Sequence, residues 1–201
     1  MEKLTKGQRT QHLIIENTLK LIGSDGFNNV SIQSIANNCG ISQTAVLNHF
    51  KNKQTLFSEV RKFVRADNYQ YVDSQMKTKD NAFERLCKHF DGTIEWGLKY
   101  KESGQIVILS YYHGCYDEMS KEVVKEIVEM AEERILSYVY SGLRESIFSF
   151  SDTPEDVSSV IHSYILGAYT KSISSSKSTK ISKVDIRRNR IILKNILGYK
   201  G

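Results

Sequence analysis

Three observations in the sequence predict an all-α protein. Apolar residues recur at i, i+3 and i+4 through most of the 201 residues. The only proline is Pro154, so long helices are spared their main breaker. The one β-branched apolar run, Ile106-Val107-Ile108-Leu109, has no second run to pair with, and it too reads as a buried helix. About nine helices result, arranged as a three-helix N-terminal head with a helix-turn-helix and a C-terminal helical bundle.

Composition bounds the function. Hydrophobic residues make up 40% and charged residues 25%, ordinary values for a globular protein with a substantial core. Cys39, Cys87 and Cys115 are odd in number and widely spaced, which suggests neither a disulfide framework nor a zinc site and fits a reducing, cytoplasmic setting. Met1–Thr10 is polar with no apolar run behind it, so no signal peptide is expected. No apolar run approaches the ~20 residues of a membrane-spanning helix. The net charge of +5 is unevenly spread. Residues 1–53 carry six basic and three acidic groups, residues 54–176 carry 14 and 19, and residues 177–201 carry eight and one. A basic head on an acidic body suits a protein that offers one end to a polyanion.

Residues 1–8 read as an arm, with Lys3, Lys6 and Arg9 available to a nucleic acid. The first helix spans Arg9 to about Ser24, with Leu13 or Ile14, Ile15, Thr18, Leu19 and Ile22 inward, and ends at Asp25-Gly26. Phe27 plugs the small core behind it. Ser31 caps a second helix with Ile32, Ile35 and Ala36 as its inner stripe, and Gly40 suits the left-handed position that closes it. Ser42 caps a third helix, which turns Ala45, Val46 and Phe50 inward and Gln43, Thr44, Asn48 and His49 outward. Helix, glycine turn, helix is the helix-turn-helix pattern, and its outer face of short polar groups without carboxylates fits base edges and phosphates.

Asn52 caps a long fourth helix to about Met76, with Leu56, Phe57, Val60, Phe63 and Val64 buried. Asp80 is the expected cap of a fifth, from Asn81 to about Tyr100, and Gly104 is expected to break the pattern before the buried run from Gln105 to Tyr112. The longest helical stretch runs from Ser120 to about Phe148. Thr153-Pro154-Glu155-Asp156 starts the next helix: a cap, a proline at the first position, and two carboxylates on the positive end of the dipole. After a linker over 172–182, a last helix spans Lys183 to Leu197. The boundaries expected are a DNA-binding domain over 1–53 and a body over 54–201.

The Ile14-Ile15 helix ending in Gly26-Phe27 is followed by Ser31-x-x-x-Ile35-Ala36, then Gly40-Ile41-Ser42, then His49-Phe50-x-x-Lys53-x-x-Leu56-Phe57. This series resembles the DNA-binding head of the tetracycline-repressor (TetR) family of bacterial regulators. The detailed likeness covers residues 9–57, and the remaining helices match the family's plan in number and length. Ser31 stands where the family has threonine, Thr44 where it commonly has glycine, and Leu47 where it commonly has a phosphate-contacting tyrosine.

The resemblance implies that Gln43–His49 lies in the major groove of an operator. Gln43, Thr44, Ala45 and Asn48 would then face base edges, and Ser31, Ser42, His49, Lys51 and Lys53 the phosphates. It also implies a homodimer joined through the last two helices, which places two recognition helices about one DNA turn (~34 Å) apart. Val157, Val160, Ile161, Tyr164, Ile165, Ala168, Ile191, Ile192 and Ile196 are the expected dimer surface. A small-molecule effector, apolar or aromatic, is expected in the body, where Phe63, Phe90, Trp96, Tyr100, Tyr111, Tyr112, Cys115, Tyr116 and Tyr138 are the candidate lining. Cys115 is also a conceivable redox switch. The basic residues Lys177 to Lys194 are expected as a solvated face opposite the acidic stretch Glu122–Glu133 of this chain or of a second copy, the alternative being a second patch for a nucleic acid or an anionic surface.

Two functions stay open: a ligand-responsive regulator, most often a repressor, and a DNA-binding regulator without a small-molecule ligand, controlled by a protein partner or by abundance. Enzymatic turnover is not expected, since none of the nucleophile-elbow, P-loop, zinc-protease or dinucleotide motifs occurs and His12, His89, His113 and His162 have no evident sequence partners. No cofactor, metal or membrane partner is expected.

Overall fold

The computed structural model describes residues 5–116 and 118–201, apart from the side chain of residue 119. Among them are nine α-helices, a short 3-10 turn and no strand, as the sequence predicts. The residues fall into two compact units, one running to Asp67 and including Lys101–Val107, the other comprising Asn68–Tyr100 and Ile108–Gly201.

The first unit holds α1 (Lys6–Asp25), the turn Phe27–Asn29, α2 (Ile32–Cys39), α3 (Gln43–His49) and the first part of α4 (Lys53–Gln75). The expected arm is shorter than the sequence suggests. Thr5 accepts a hydrogen bond from Gln8 N–H while the Gln8 side chain accepts from Thr5 N–H, and this reciprocal cap starts α1 at Lys6. Lys3 lies outside the described residues. Of the two alternatives at the start of the α1 stripe, Ile14 is fully buried and Leu13 is exposed. Ile14, Ile35, Val46, Leu56 and Val60 are buried completely, so each helix of the head contributes a side chain to a common core. Phe27 packs on Phe57 with ring centroids 4.5 Å apart. Gly40 sits at φ 67°, ψ 30°, where a side chain would be strained, and its N–H donates to the Ala36 and Asn37 carbonyls.

The second unit is organised on α5 (Ala82–Lys99), which packs against α7 (Glu118–Arg144), α8 (Pro154–Ser175) and α9 (Lys183–Leu197). Phe83, Leu86, Cys87, Phe90, Ile94 and Trp96 make α5 nearly apolar on its covered sides. Its cap is Asn81, whose side chain accepts from Glu84 N–H, and not Asp80. Asp80 accepts instead from Lys77 N–H and from the Lys88 ammonium, both at 2.6 Å. Glu145 adds a second cap by accepting from Ala82 N–H at 2.8 Å, a carboxylate at the positive helix end.

Three other boundaries differ from expectation. Gly104 does not break the chain but lies buried inside α6 (Lys101–Gly114), because one glycine costs a helix only about 0.5–1 kcal/mol, less than the burial of a neighbour such as Ile106 contributes. The helix α7 stops at Arg144, short of Phe148. Ser146 turns the backbone to φ 57°, and Ile147 and Ser149 bond to the C-terminal segment at Lys200 N–H and Leu197 C=O. Phe148 folds back over Gly142, so the apolar residue that seemed to extend the helix packs against its side. The helix α8 begins with the expected Thr153 cap and Pro154 and continues to Ser175, past Ser172. Two of the basic C-terminal residues are engaged within their own unit. Arg190 pairs with Glu84 of α5 through both guanidinium nitrogens, at 3.2 and 3.0 Å, and Arg188 with Asp185.

Candidate functional site

The head owes its charge character to a gap in the sequence. No Asp or Glu occurs between Asp25 and Glu59, so α2, α3 and the start of α4 are free of carboxylates. Ser42 accepts from Ala45 N–H at 3.1 Å and sets the start of α3. Val46 is the fully buried residue of α3, and it fixes the opposite side of the helix toward solvent. Gln43, Thr44, Leu47 and Asn48 are exposed there at spacings of one and four residues, which forms one continuous patch. Ala45 and His49 are half-buried at its margins, and Ser31, Ser42 and Lys51 are exposed.

Two details bear on how that patch works. The Gln43 amide donates to the Gln33 side chain on α2, and Gln33 in turn donates to Asn37 at 2.7 Å, so the first residue of α3 is tied to the preceding helix. The Lys53 ammonium stands 5.5 Å from the ring centroids of both Phe27 and Phe57, a cation–π contact that holds it against the aromatic pair of the head.

In the second unit the expected lining residues fall into separate groups. Tyr111 Oη lies 3.4 Å from His162 Nε2, and His89 lies 5.7 Å from the Tyr138 ring, so these two tyrosines flank buried histidines. Phe90 is buried against Tyr164, and Trp96, wholly buried, approaches Tyr100. Tyr112 and Tyr116 lie against one another at the surface, rings tilted by 49°, beside the exposed Cys115. Phe63 belongs to the first unit, edge-on to His12. The contacts of His162 with Tyr111 and with Glu132, at 3.6 Å, supply partners that the sequence did not reveal. Burial holds His89 at a pKa of about 3 and pushes Tyr111 up to about 12, so both are neutral at pH 7.

The expected dimer residues also divide. Val157, Ile161 and Ile165 are buried in their own chain, Tyr164, Ala168, Ile192 and Ile196 are half-buried, and Val160 and Ile191 stand out at 54% and 47% exposure. Beside them a cleft of about 650 Å³ opens between α8, α9 and their linker, floored by Ile94, Leu98 and Ile192. Among the described residues no cluster of His, Cys, Asp and Glu is arranged to hold a metal ion. Within the same residues no helix is long and apolar enough to cross a membrane.

Residues 14–60 match the model of the bacterial regulatory proteins of the tetR family. Residues 14–60 thus carry a DNA-binding head of the TetR-family kind. An uncharacterized HTH-type transcriptional regulator of Bacillus subtilis, YhgD, is 23% identical over 144 residues, 72% of each chain. A TetR-family transcriptional regulator from Rhodococcus sp. superimposes with a TM-score of 0.79 at 15% identity, over 94% of this chain and 98% of that one. A transcriptional regulator from Saccharomonospora viridis, solved in complex with choline, gives 0.73 at 16% identity over 93% and 94%. The helix-turn-helix of the first unit is thus the part of this chain that matches the TetR-family regulators, and the whole chain shares the fold of such proteins.

Two residues, Gln33 and Arg134, gain interest only from the structure, and two others, Leu47 and His89, gain a defined place from it. Leu47 shares the α3 patch, which the four-residue spacing from Gln43 already implied. Gln33 was an ordinary polar position of α2 until its tie to Gln43 placed it. His89 had no evident partner in the sequence and Arg134 was an ordinary charged position of a helical stripe; the sequence signal for both is limited to polar residues among apolar neighbours.

Proposed function

We propose that this TetR-family protein is a ligand-responsive repressor. It acts in the cytoplasm as a homodimer on a palindromic operator, and a small molecule held in the body releases it. The DNA-reading domain would occupy residues 1–53 and the effector and dimer domain residues 54–201. The observation that carries the DNA-reading part is the carboxylate-free exposed patch of α3, bordered by Lys51 and Lys53. Gln43 and Asn48 have side-chain amides suited to adenine, Thr44 and Leu47 offer methyl groups, and Ser31, Ser42, His49 and the two lysines suit phosphates. The patch is too small for tight specific binding alone, and the exposed Val160 and Ile191 give the apolar surface through which a second copy would double it. Ligand response is supported by the body's buried polar groups and by the fact that a protein of the same fold is known in complex with choline.

The test begins with an operator selected from random DNA. Replacing Gln43 and Asn48 by Ala should remove the footprint while circular dichroism and oligomeric state stay unchanged, since both side chains are exposed. A footprint that survives both changes would refute the α3 assignment. Operator affinity should also fall steeply with added salt, because each neutralised phosphate releases about 0.9 counterion. A flat salt profile would remove the phosphate roles of Lys51 and Lys53.

A further inference from the structure

Inside the second unit several buried side-chain atoms, on buried or half-buried residues, have no hydrogen-bond partner among the described residues. His89 on α5 is 5% exposed and its Nδ1 is unmet. Arg134 on α7 engages Asp73, yet its Nε–H is unmet as well. Thr93 Oγ1, one turn beyond His89, and Nδ2 of Asn68 on α4, 8% exposed, complete the set. These atoms sit on helices that meet one another. The Arg134 guanidinium lies 4.4 Å over the Tyr69 ring, next in sequence to Asn68, and the His89 ring lies 5.7 Å from Tyr138, which hydrogen-bonds Arg134. Gly92, three residues after His89, lies on the α4–α5 seam, where a Cβ would stand 3.5 Å from Val72, so the two helices approach closely beside these atoms.

An unmet buried donor costs about 1–3 kcal/mol, so this arrangement is expensive for a core whose only task is packing. The chemistry of the atoms defines what would satisfy them. Arg134 Nε and Asn68 Nδ2 can only donate, while His89 and Thr93 can donate or accept. Their common answer is an acceptor oxygen. Charge then separates the classes of oxygen. Arg134 is already paired with Asp73, and Glu132 stands 3.6 Å from the His162 imidazole, so each of these carboxylates already faces a nitrogen group of the interior. Burial lowers the pKa of both His89 and His162, which keeps the imidazoles from adding positive charge. No cationic surplus remains for an anion. The rings of Tyr69, Tyr111 and Tyr138 offer flat apolar faces to the rest of a ligand.

We propose that the interior between α4, α5 and α7 takes the uncharged carbonyl oxygen of a small aromatic ketone, quinone or amide, read by Arg134 Nε–H and His89 Nδ1. This rests on the reading of the protein as ligand-responsive and gives that ligand a chemical class.

The full chain, labelled with 15N, is titrated at millimolar concentration with acetophenone, and with ethylbenzene and benzoate as controls of similar size. Acetophenone should shift the Arg134 Nε and His89 Nδ1 resonances saturably and bind about tenfold more tightly than either control, the gain of one well-placed hydrogen bond. Arg134→Met and His89→Leu should each erase that preference, and two variants guard against one failing to fold. No saturable shift, equal affinity for ethylbenzene, or tighter binding of benzoate overturns the proposal. Ligand response is read separately, as release of the selected operator by a small-molecule extract of the producing cells. Release that persists unchanged in both variants overturns the carbonyl site and leaves the regulator ligand-responsive. An extract that never releases the wild type overturns ligand response itself.

Discussion

At the scale of single residues, α3 departs from a purely polar reader at Leu47, which is 40% exposed beside Thr44 and Asn48. An exposed leucine in a groove has one attractive partner among the base edges, the thymine methyl. Replacing operator thymines by uracil, which removes only that methyl, should weaken the wild type about fourfold per contacted base, the value of one buried methyl-sized group. Leu47→Ala should be insensitive to the exchange, and a wild type equally indifferent would remove Leu47 from the interface. Asp91 offers a second residue-scale prediction. Burial raises its pKa to about 6, against the hydrogen bond from Asn189, which lowers it. The folded state therefore keeps a proton that the unfolded chain gives up from pH 3.8 onward, and this contribution to stability is lost as pH rises to about 6. In urea unfolding, Asp91→Asn should gain on the wild type by on the order of 2–3 kcal/mol between about pH 4 and about pH 7, since Asn can still accept from Asn189. His89, displaced in the opposite direction, loses stability on acidification in both proteins and cancels from the difference. A difference that does not change with pH would contradict a buried Asp91.

At the scale of elements, what was legible in the sequence follows from how local the cause is. The caps at Ser31, Ser42 and Thr153 bond to N–H groups three residues on, and each helix starts where its cap predicts. Gly40 closes α2 for an equally local reason, its left-handed backbone. The errors lie where the deciding partner is distant. Asp80 and Asn81 are both able to cap α5, and what separates them is the Lys88 ammonium that engages Asp80. Phe148 continues the apolar period of α7, but Leu197 and Lys200, some fifty residues later, draw its segment into a turn. The α3 patch was read from sequence nearly complete because one short helix determines it. The group around His89 was invisible because it joins α4, α5, α6, α7 and α8, and a single sequence carries no record of which helices meet. Arg190 shows the same limit: its charge was plain, its partner Glu84 more than a hundred residues away was not.

At the scale of the whole molecule, the proposed mechanism depends on two copies. Of the nine residues expected at the dimer surface, those buried in their own chain hold α8 in place, so replacing them would unfold the unit and say nothing about assembly. Val160 and Ile191 are different, because half of each side chain faces solvent and neither is needed to fill the core. Leaving both exposed in a monomer forfeits roughly 1 kcal/mol or more each of burial. Val160→Asp combined with Ile191→Asp should therefore give a folded monomer in sedimentation velocity, with an unchanged helical signal. Its binding to a full palindrome should fall to that of a half-site, because the second recognition helix no longer arrives with the first. A double variant that stays dimeric would place the two-fold contact elsewhere on the body, and the cleft beside α8 and α9 would be the next surface to change.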